Sequence, residues 1–197
     1  MRVAAVIPVK RFAAAKQRLA AGLQGAGREE LAEEMLGRVL QALGRARRID
    51  RRIVVTGEPR AAALAQESGW EVVADDRDAG HSEAALLGIG AAISDGAECV
   101  ALLPGDCPLI AAEELDALLD GISGPTVTVI PDRHGTGTNG LVLVPPDAIR
   151  PSFGEGSCER HVRLAREAGA NPSVRRLETL ALDIDTAEDL ALWRASI

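Results

Sequence analysis

Four cations, Lys10, Arg11, Lys16 and Arg18, fall within nine positions directly after the apolar run Val3 to Val9. The chain carries a formal net charge of −7, so this cluster stands out. It could neutralise a triphosphate, or it could be a solvated basic turn. A second group is Gly105-Asp106, which follows the apolar run Cys99 to Leu103. Glycine permits close backbone approach, and the aspartate offers hard oxygen ligands. A plain turn, with the carboxylate bonded to its own backbone, uses the same two residues. The third group is Leu182-Asp183-Ile184-Asp185-Thr186. In strand geometry both carboxylates point to one side, and like charges held together favour a cation between them. Asp185 or Thr186 could instead cap the helix that follows.

Two glycine loops complete the candidates. The stretch Asp132-Arg133-His134-Gly135-Thr136-Gly137-Thr138-Asn139-Gly140 contains the letters G-x-G-x-x-G. A strand pattern follows it where a dinucleotide fingerprint requires a helix, which rejects that reading. Its backbone N–H groups and hydroxyls still suit an anion. The loop Phe153-Gly154-Glu155-Gly156-Ser157 leads into a helix bearing Arg160 and His161, and a helix N-terminus attracts anions. His161 taken alone reads as a structural residue. The chain contains no G-x-x-x-x-G-K-[ST], G-x-S-x-G or H-E-x-x-H motif.

The elements that must carry these loops alternate between strand and helix. Val3 to Val9 is too short for a helix and rich in β-branched residues. From Glu29 to Arg48, Leu31, Met35, Leu36, Val39, Leu40 and Leu43 recur at helical spacing. Glutamates stand at the start of that helix and arginines at its end, as the dipole favours. Strands are expected at Ile53 to Thr56, Glu71 to Ala74 and Cys99 to Leu103. Helices are expected from Pro59 to before Gly69, from a Ser82 cap to about Ser94, and over Glu113 to Leu119. The rhythm then changes: Thr126 to Ile130 and Leu141 to Val144 read as successive strands, hence a local antiparallel or mixed element. A helix from Ser157 to Ala168, a strand near Leu177 to Leu182 and a helix announced by Thr186 with Asp189 follow. Such alternation implies one α/β domain spanning residues 1–197, with a mainly parallel sheet and helices on both faces.

Composition narrows the setting. With two Phe, two Trp and no Tyr, but 47% apolar residues, the core must be aliphatic. No apolar run reaches the ~18–20 residues of a membrane helix. Lys10, Arg11 and Lys16 interrupt what would be a signal peptide. Cys99, Cys107 and Cys158 are odd in number and lack metal-site spacing, which suits a reducing compartment. The expectation is a cytoplasmic protein without nucleic-acid or membrane partners.

Taken together and in order, these loops resemble the guanylyltransferase family of coenzyme F-420 biosynthesis, which activates 2-phospho-L-lactate or phosphoenolpyruvate with GTP. The resemblance runs nearly end to end, through Ile7-Pro8-Val9-Lys10, Ala15-Lys16-Gln17-Arg18-Leu19, Gly105-Asp106-Cys107-Pro108-Leu109 and the three later loops. It implies a Rossmann-like nucleotidyltransferase domain. Pro8, Lys10, Lys16, Arg18, Ser82 and Gly105 would bind the nucleotide, with Lys16 and Asp106 catalytic. Asp106, Asp183 and Asp185 would hold Mg²⁺, and Thr138, Gly154 and Ser157 would bind the phosphorylated three-carbon acid. Two positions depart from the family pattern: Gly80-His81-Ser82-Glu83 replaces a Leu-Asn loop on the guanine side, and Cys107 replaces an aliphatic residue. Other nucleotides, 3-phosphoglycerate or a sugar phosphate as acceptor, and a non-catalytic nucleotide-binding regulator are the competing readings.

Overall fold

A computed structural model describes residues 1–14 and 25–196. Its elements run β1 (Val3–Val9), α1 (Gly25–Leu43), β2 (Arg51–Thr56), α2 (Pro59–Glu67), β3 (Glu71–Ala74), α3 (His81–Ser94) and β4 (Cys99–Leu102). The second half continues with α4 (Ala112–Asp120), β5 (Thr126–Pro131), β6 (Thr138–Val144), α5 (Ser157–Glu167), β7 (Asn171–Val174) and α6 (Ala187–Ala195). Short 3₁₀ turns occupy Phe12–Ala14 and Glu178–Leu180. The strands form one sheet in the order β3-β2-β1-β4-β6-β5-β7. The β1/β2, β1/β4, β2/β3 and β5/β7 pairs are parallel, and β6 alone runs against its neighbours β4 and β5.

Strand alternation divides the core between two faces. On β1, Val3, Ala5 and Ile7 join the residues of α1, α2, α4 and α6, whereas Ala4 and Val6 join those of α3 and α5. Along α1 the helical stripe Met35, Leu36, Val39, Leu40 and Leu43 is almost fully buried. Each such large aliphatic side chain contributes roughly 1.5–3 kcal/mol on burial. Helix α3 lies close to the sheet because Gly88 lacks a side chain: a Cβ there would stand 2.2 Å from Val6 Cγ1 and 2.9 Å from Val55 Cγ2.

Several elements differ from the sequence expectation. Helix α1 ends at Leu43, so Arg45, Arg47 and Arg48 lie beyond it; the Arg47 and Arg48 backbone N–H groups donate to the buried Asp116 carboxylate instead. The expected strand near Leu177 to Leu182 is a 3₁₀ turn and irregular chain. The seventh strand is Asn171–Val174, whose Asn and Pro hide its character, and parallel pairing with β5 decides the matter. Gly80 caps α3 in place of the expected Ser82, which is the second residue of the helix. The β5–β6 hairpin confirms the antiparallel element and the rejection of a dinucleotide fingerprint, since strand β6 follows the glycine loop.

Candidate active site

The chain leaves β1 through α1 toward β2 and leaves β3 through α3 toward β4, on opposite sides of β1. The sheet order therefore reverses between β1 and β4, and ligands of open α/β sheets bind at the carboxyl ends of strands at such a switch. A cavity of about 300 Å³ opens there. Pro8, Val9 and Lys10 line it from β1, Pro104, Gly105 and Asp106 from β4, and Asp185 from the segment before α6. Met35 and Leu36 of α1 give it an apolar wall, and His81 closes another side. Lys10 is exposed at its rim, while Pro8 is buried.

The carboxylates reach this place by tertiary bonds. Asp183 and Asp185 do not sit on a strand, so the alternation expected to align them is absent. Instead the Ile184 N–H donates to the Asp106 carbonyl at 3.2 Å, tying the segment to the end of β4. Asn139 Nδ2 donates to Leu180 O at 2.7 Å and reaches Asp183 Oδ1 at 3.5 Å. On the other side, Asp189 Oδ2 accepts from the Asp185 and Thr186 N–H groups and completes the capping box of α6. The Asp189 carboxylate also pairs with Arg133 Nη1 at 2.6 Å, which joins α6 to the β5–β6 loop. Burial, and then the charges of Asp106 and Asp185, push the Asp183 carboxyl above its ordinary range. Such mutual repulsion is the setting in which a hard cation is favoured. Among the described residues, no three His, Cys, Asp or Glu side chains draw close enough to hold a metal by themselves. A cation held here would take only part of its ligands from these carboxylates, with the rest left to water or a ligand phosphate.

A second cluster lies on β6 and α5. Asp132 organises the hairpin loop, accepting from Thr136 N–H and Gly137 N–H at 3.0 Å each. The Thr136 carbonyl then accepts from Cys158 N–H, fastening the loop to the first turn of α5. Thr138, the first residue of β6, has its Oγ1 3.0 Å from His161 Nδ1. Gly156, in the left-handed conformation at φ 66°, caps α5, so Ser157 is the first residue inside the helix, as expected for a helix starting there. The Ser157 side chain is 1% exposed, and its Oγ has no hydrogen-bond partner among the described residues. A buried hydroxyl without a partner costs stability, and its place at a helix N-terminus suits contact with an anion. Gly154 is exposed with φ 114°, and its carbonyl accepts from Ser157 N–H.

Aromatic rings join the two clusters. His81 meets Phe153 edge-on at 4.7 Å between centroids, and Phe153 meets His161 at 5.2 Å. Burial holds both histidines well below the ordinary imidazole value, at about 4. Asp106 works against this at His81 and Lys10 with it, while Arg160 reinforces it at His161. Both rings are neutral at physiological pH.

Pro8, Lys10, Gly105, Asp106 and Asp185 thus line one cavity, with Asp183 beside them. Thr138, Gly154 and Ser157 gather at the second cluster. Ser82 serves the loop before α5: its Oγ accepts from Phe153 N–H at 3.0 Å. Lys16 and Arg18 lie outside the described residues. His81, which the sequence marks only as a departure from a family pattern, is a lining residue of the cavity. The available signal was a polar residue starting a helix after a glycine.

A switch-point cavity beside clustered carboxylates, on a sheet with one reversed strand, defines a nucleotidyltransferase-type domain. A putative nucleotide-diphospho-sugar transferase from Desulfovibrio desulfuricans shares this fold with a TM-score of 0.75 at 19% identity, over all of this chain and 88% of that one. The model of the family described as "Guanylyl transferase CofC like" matches residues 3–192, and the chain belongs to that family. It is thereby a nucleotidyltransferase of the guanylyltransferase class. The phosphoenolpyruvate guanylyltransferase of Conexibacter woesei is 43% identical over 100% of this chain and 89% of its own length. The 2-phospho-L-lactate guanylyltransferase of Methanothermobacter thermautotrophicus is 36% identical, covering 96% and 83%. The 3-phospho-D-glycerate guanylyltransferase of Phenylobacterium zucineum is also 36% identical, covering 94% and 86%. Among the described residues, no helix is long and apolar enough to cross a membrane.

Proposed function

We propose that this protein transfers a guanylyl group from GTP to phosphoenolpyruvate, or to the closely related 2-phospho-L-lactate, in coenzyme F-420 biosynthesis in the cytoplasm. The observation that carries the acceptor site is the buried Ser157 hydroxyl at the start of α5, which has no hydrogen-bond partner among the described residues and lies next to a loop already shaped by Asp132. An anion there would receive the donor that the protein leaves unused. The name of the Conexibacter relative, 43% identical end to end, favours phosphoenolpyruvate. The Phenylobacterium relative supports 3-phosphoglycerate as the second reading.

An acceptor phosphate oxygen attacks the α-phosphorus of GTP, the bond to the bridging oxygen of the β-phosphate breaks, and diphosphate leaves. The acceptor is already ionised, so no protein nucleophile is needed; the protein orients two polyanions and offsets their repulsion. Pro8, Lys10 and Gly105 face the nucleotide, joined in this reading by Lys16 and Arg18 and, through the Phe153 loop, by Ser82. Thr138, the Gly154 loop and Ser157 present neutral donors to the acid, which leave its phosphate more nucleophilic than a salt bridge would. Asp106 and Asp183, with Asp185, would hold Mg²⁺, which when bound offsets phosphate charge.

The test is diphosphate release and product mass after incubation with GTP and each of the three acids, with CTP and UTP as controls. Enolpyruvoyl-2-diphospho-5′-guanosine or lactyl-2-diphospho-5′-guanosine is the expected product. Nucleotide binding without diphosphate release from any pair would make the chain a regulator and sink the proposal.

A further inference from the structure

His161 is buried, 0% exposed, and both of its ring nitrogens are engaged. The Ser152 backbone N–H points at Nε2, with the heavy atoms 2.9 Å apart. A backbone N–H can only donate, so Nε2 must carry its lone pair. A neutral imidazole holds one ring proton, and that proton must then reside on Nδ1. Nδ1 lies 3.0 Å from Thr138 Oγ1. Thr138 therefore accepts from the histidine, and its own hydroxyl proton turns away from the ring. Were the tautomer reversed, Thr138 would spend its proton on the imidazole and present lone pairs outward.

The consequence bears on recognition of an anion. From this geometry we infer that His161 is a positioning residue that holds Thr138 as a hydrogen-bond donor toward the phosphorylated acid. The inference rests on the acceptor site proposed above. Its physical basis is that an anion accepts hydrogen bonds and is repelled by an outward lone pair. The neutral state is supported by burial and by the neighbouring Arg160 guanidinium, both of which oppose a second ring proton. Arg160 also fastens the same loop, since its Nε donates to Ser152 O at 3.0 Å. Ser152 is thus held at both backbone groups by successive residues of α5. The device is a relay of one proton position, from a backbone N–H through the ring to a threonine hydroxyl.

Two measurements test it. In ¹⁵N-edited NMR of the ligand-free wild-type protein at neutral pH, His161 is expected as the Nδ1–H tautomer; an Nε2–H signal would overturn the inference. The second is a pair of substitutions with steady-state kinetics on phosphoenolpyruvate and GTP. His161→Asn keeps an N–H donor near the Nδ1 position and loses the acceptor for Ser152. His161→Gln keeps an acceptor near Nε2 and loses the donor to Thr138. His161→Gln is expected to raise the KM for the acid about ten-fold, with that for GTP unchanged, and His161→Asn to raise it several-fold less. A purely structural clamp on Ser152 predicts the opposite order, and that order would overturn the inference. Thr138→Val separates this idea from the reading beneath it. If Thr138→Val weakens the acid but the ring is Nε2–H, the inference alone falls. If the ring is Nδ1–H but Thr138→Val leaves the KM for the acid unchanged, the acceptor assignment falls and the inference with it.

Discussion

The two sides of the site are built by different means. On the β1/β4 side, strand register and crossover direction create the cavity, and its wall is the aliphatic face of α1. On the β6/α5 side, the loops are held by Asp132, His161, Arg160 and Asn139 through directed hydrogen bonds, with Phe153 packed edge-on between His81 and His161. Packing tolerates many aliphatic side chains, whereas a polar network depends on which atom donates and which accepts. The first side suits a large, common ligand held mainly by charge and shape. The second suits discrimination among small acids that differ by a few atoms, and it is the side on which specificity among relatives should be sought.

The comparison can be broken most severely at the carboxylates, which stand between the two sides. Asp106→Asn is expected to lower turnover by at least ~100-fold at saturating Mg²⁺, the scale for losing a group that stabilises charge at a reacting centre. Circular dichroism should report an unchanged fold; near-normal turnover would remove Asp106 from the chemistry. Next in size, Ser157→Ala should raise the KM for the acid by about ten- to a hundred-fold and leave that for GTP nearly unchanged. Its effect on stability should have the opposite sign. Because the hydroxyl has no hydrogen-bond partner among the described residues, its removal should leave the ligand-free protein equally stable or more so in urea unfolding. A variant impaired toward GTP alone would assign the 154–157 loop to the nucleotide.

On the packed side, Gly88→Ala should cost roughly 1–3 kcal/mol in urea unfolding, because α3 must move away from Val6 and Val55. Equal stability of this variant would show that α3 has room to shift. The smallest effect in the neutral range concerns pH. His161 and His81 protonate at about 4 when folded, against the ordinary 6.5 in the unfolded chain. The unfolded state therefore takes up protons first, and stability is complete above pH 6.5 and declines as pH falls toward 4. Each histidine contributes at most about 1.4 kcal/mol per pH unit inside that window. His161→Asn should reduce this slope, by up to about 1.4 kcal/mol per pH unit, relative to wild type in unfolding curves from pH 7 to 4.5. An unchanged slope would mean that His161 titrates alike in the folded and unfolded chains.

Much of the architecture was legible in the residues because periodicity is a local property. The stripe Leu31 to Leu43, the apolar runs Val3 to Val9 and Cys99 to Leu103, and the Thr186–Asp189 cap each carry their signal within one element. The reversal of rhythm at Thr126 to Val144 likewise announced the hairpin. Asn171–Val174 escaped because its strand state comes from pairing with β5 and not from its own composition. For the site, the sequence by itself determined which groups exist: carboxylates after apolar runs, small-residue loops before a helix, a histidine four residues into that helix. Only the tertiary structure decided that Ile184 N–H hangs the Asp183–Asp185 segment from Asp106, that Ser82 serves Phe153, and that His81 lines the cavity. It also decided which nitrogen of His161 bears the proton, through an N–H nine residues away. These are long-range hydrogen bonds, whose partners have no fixed spacing along the chain, so periodicity cannot encode them.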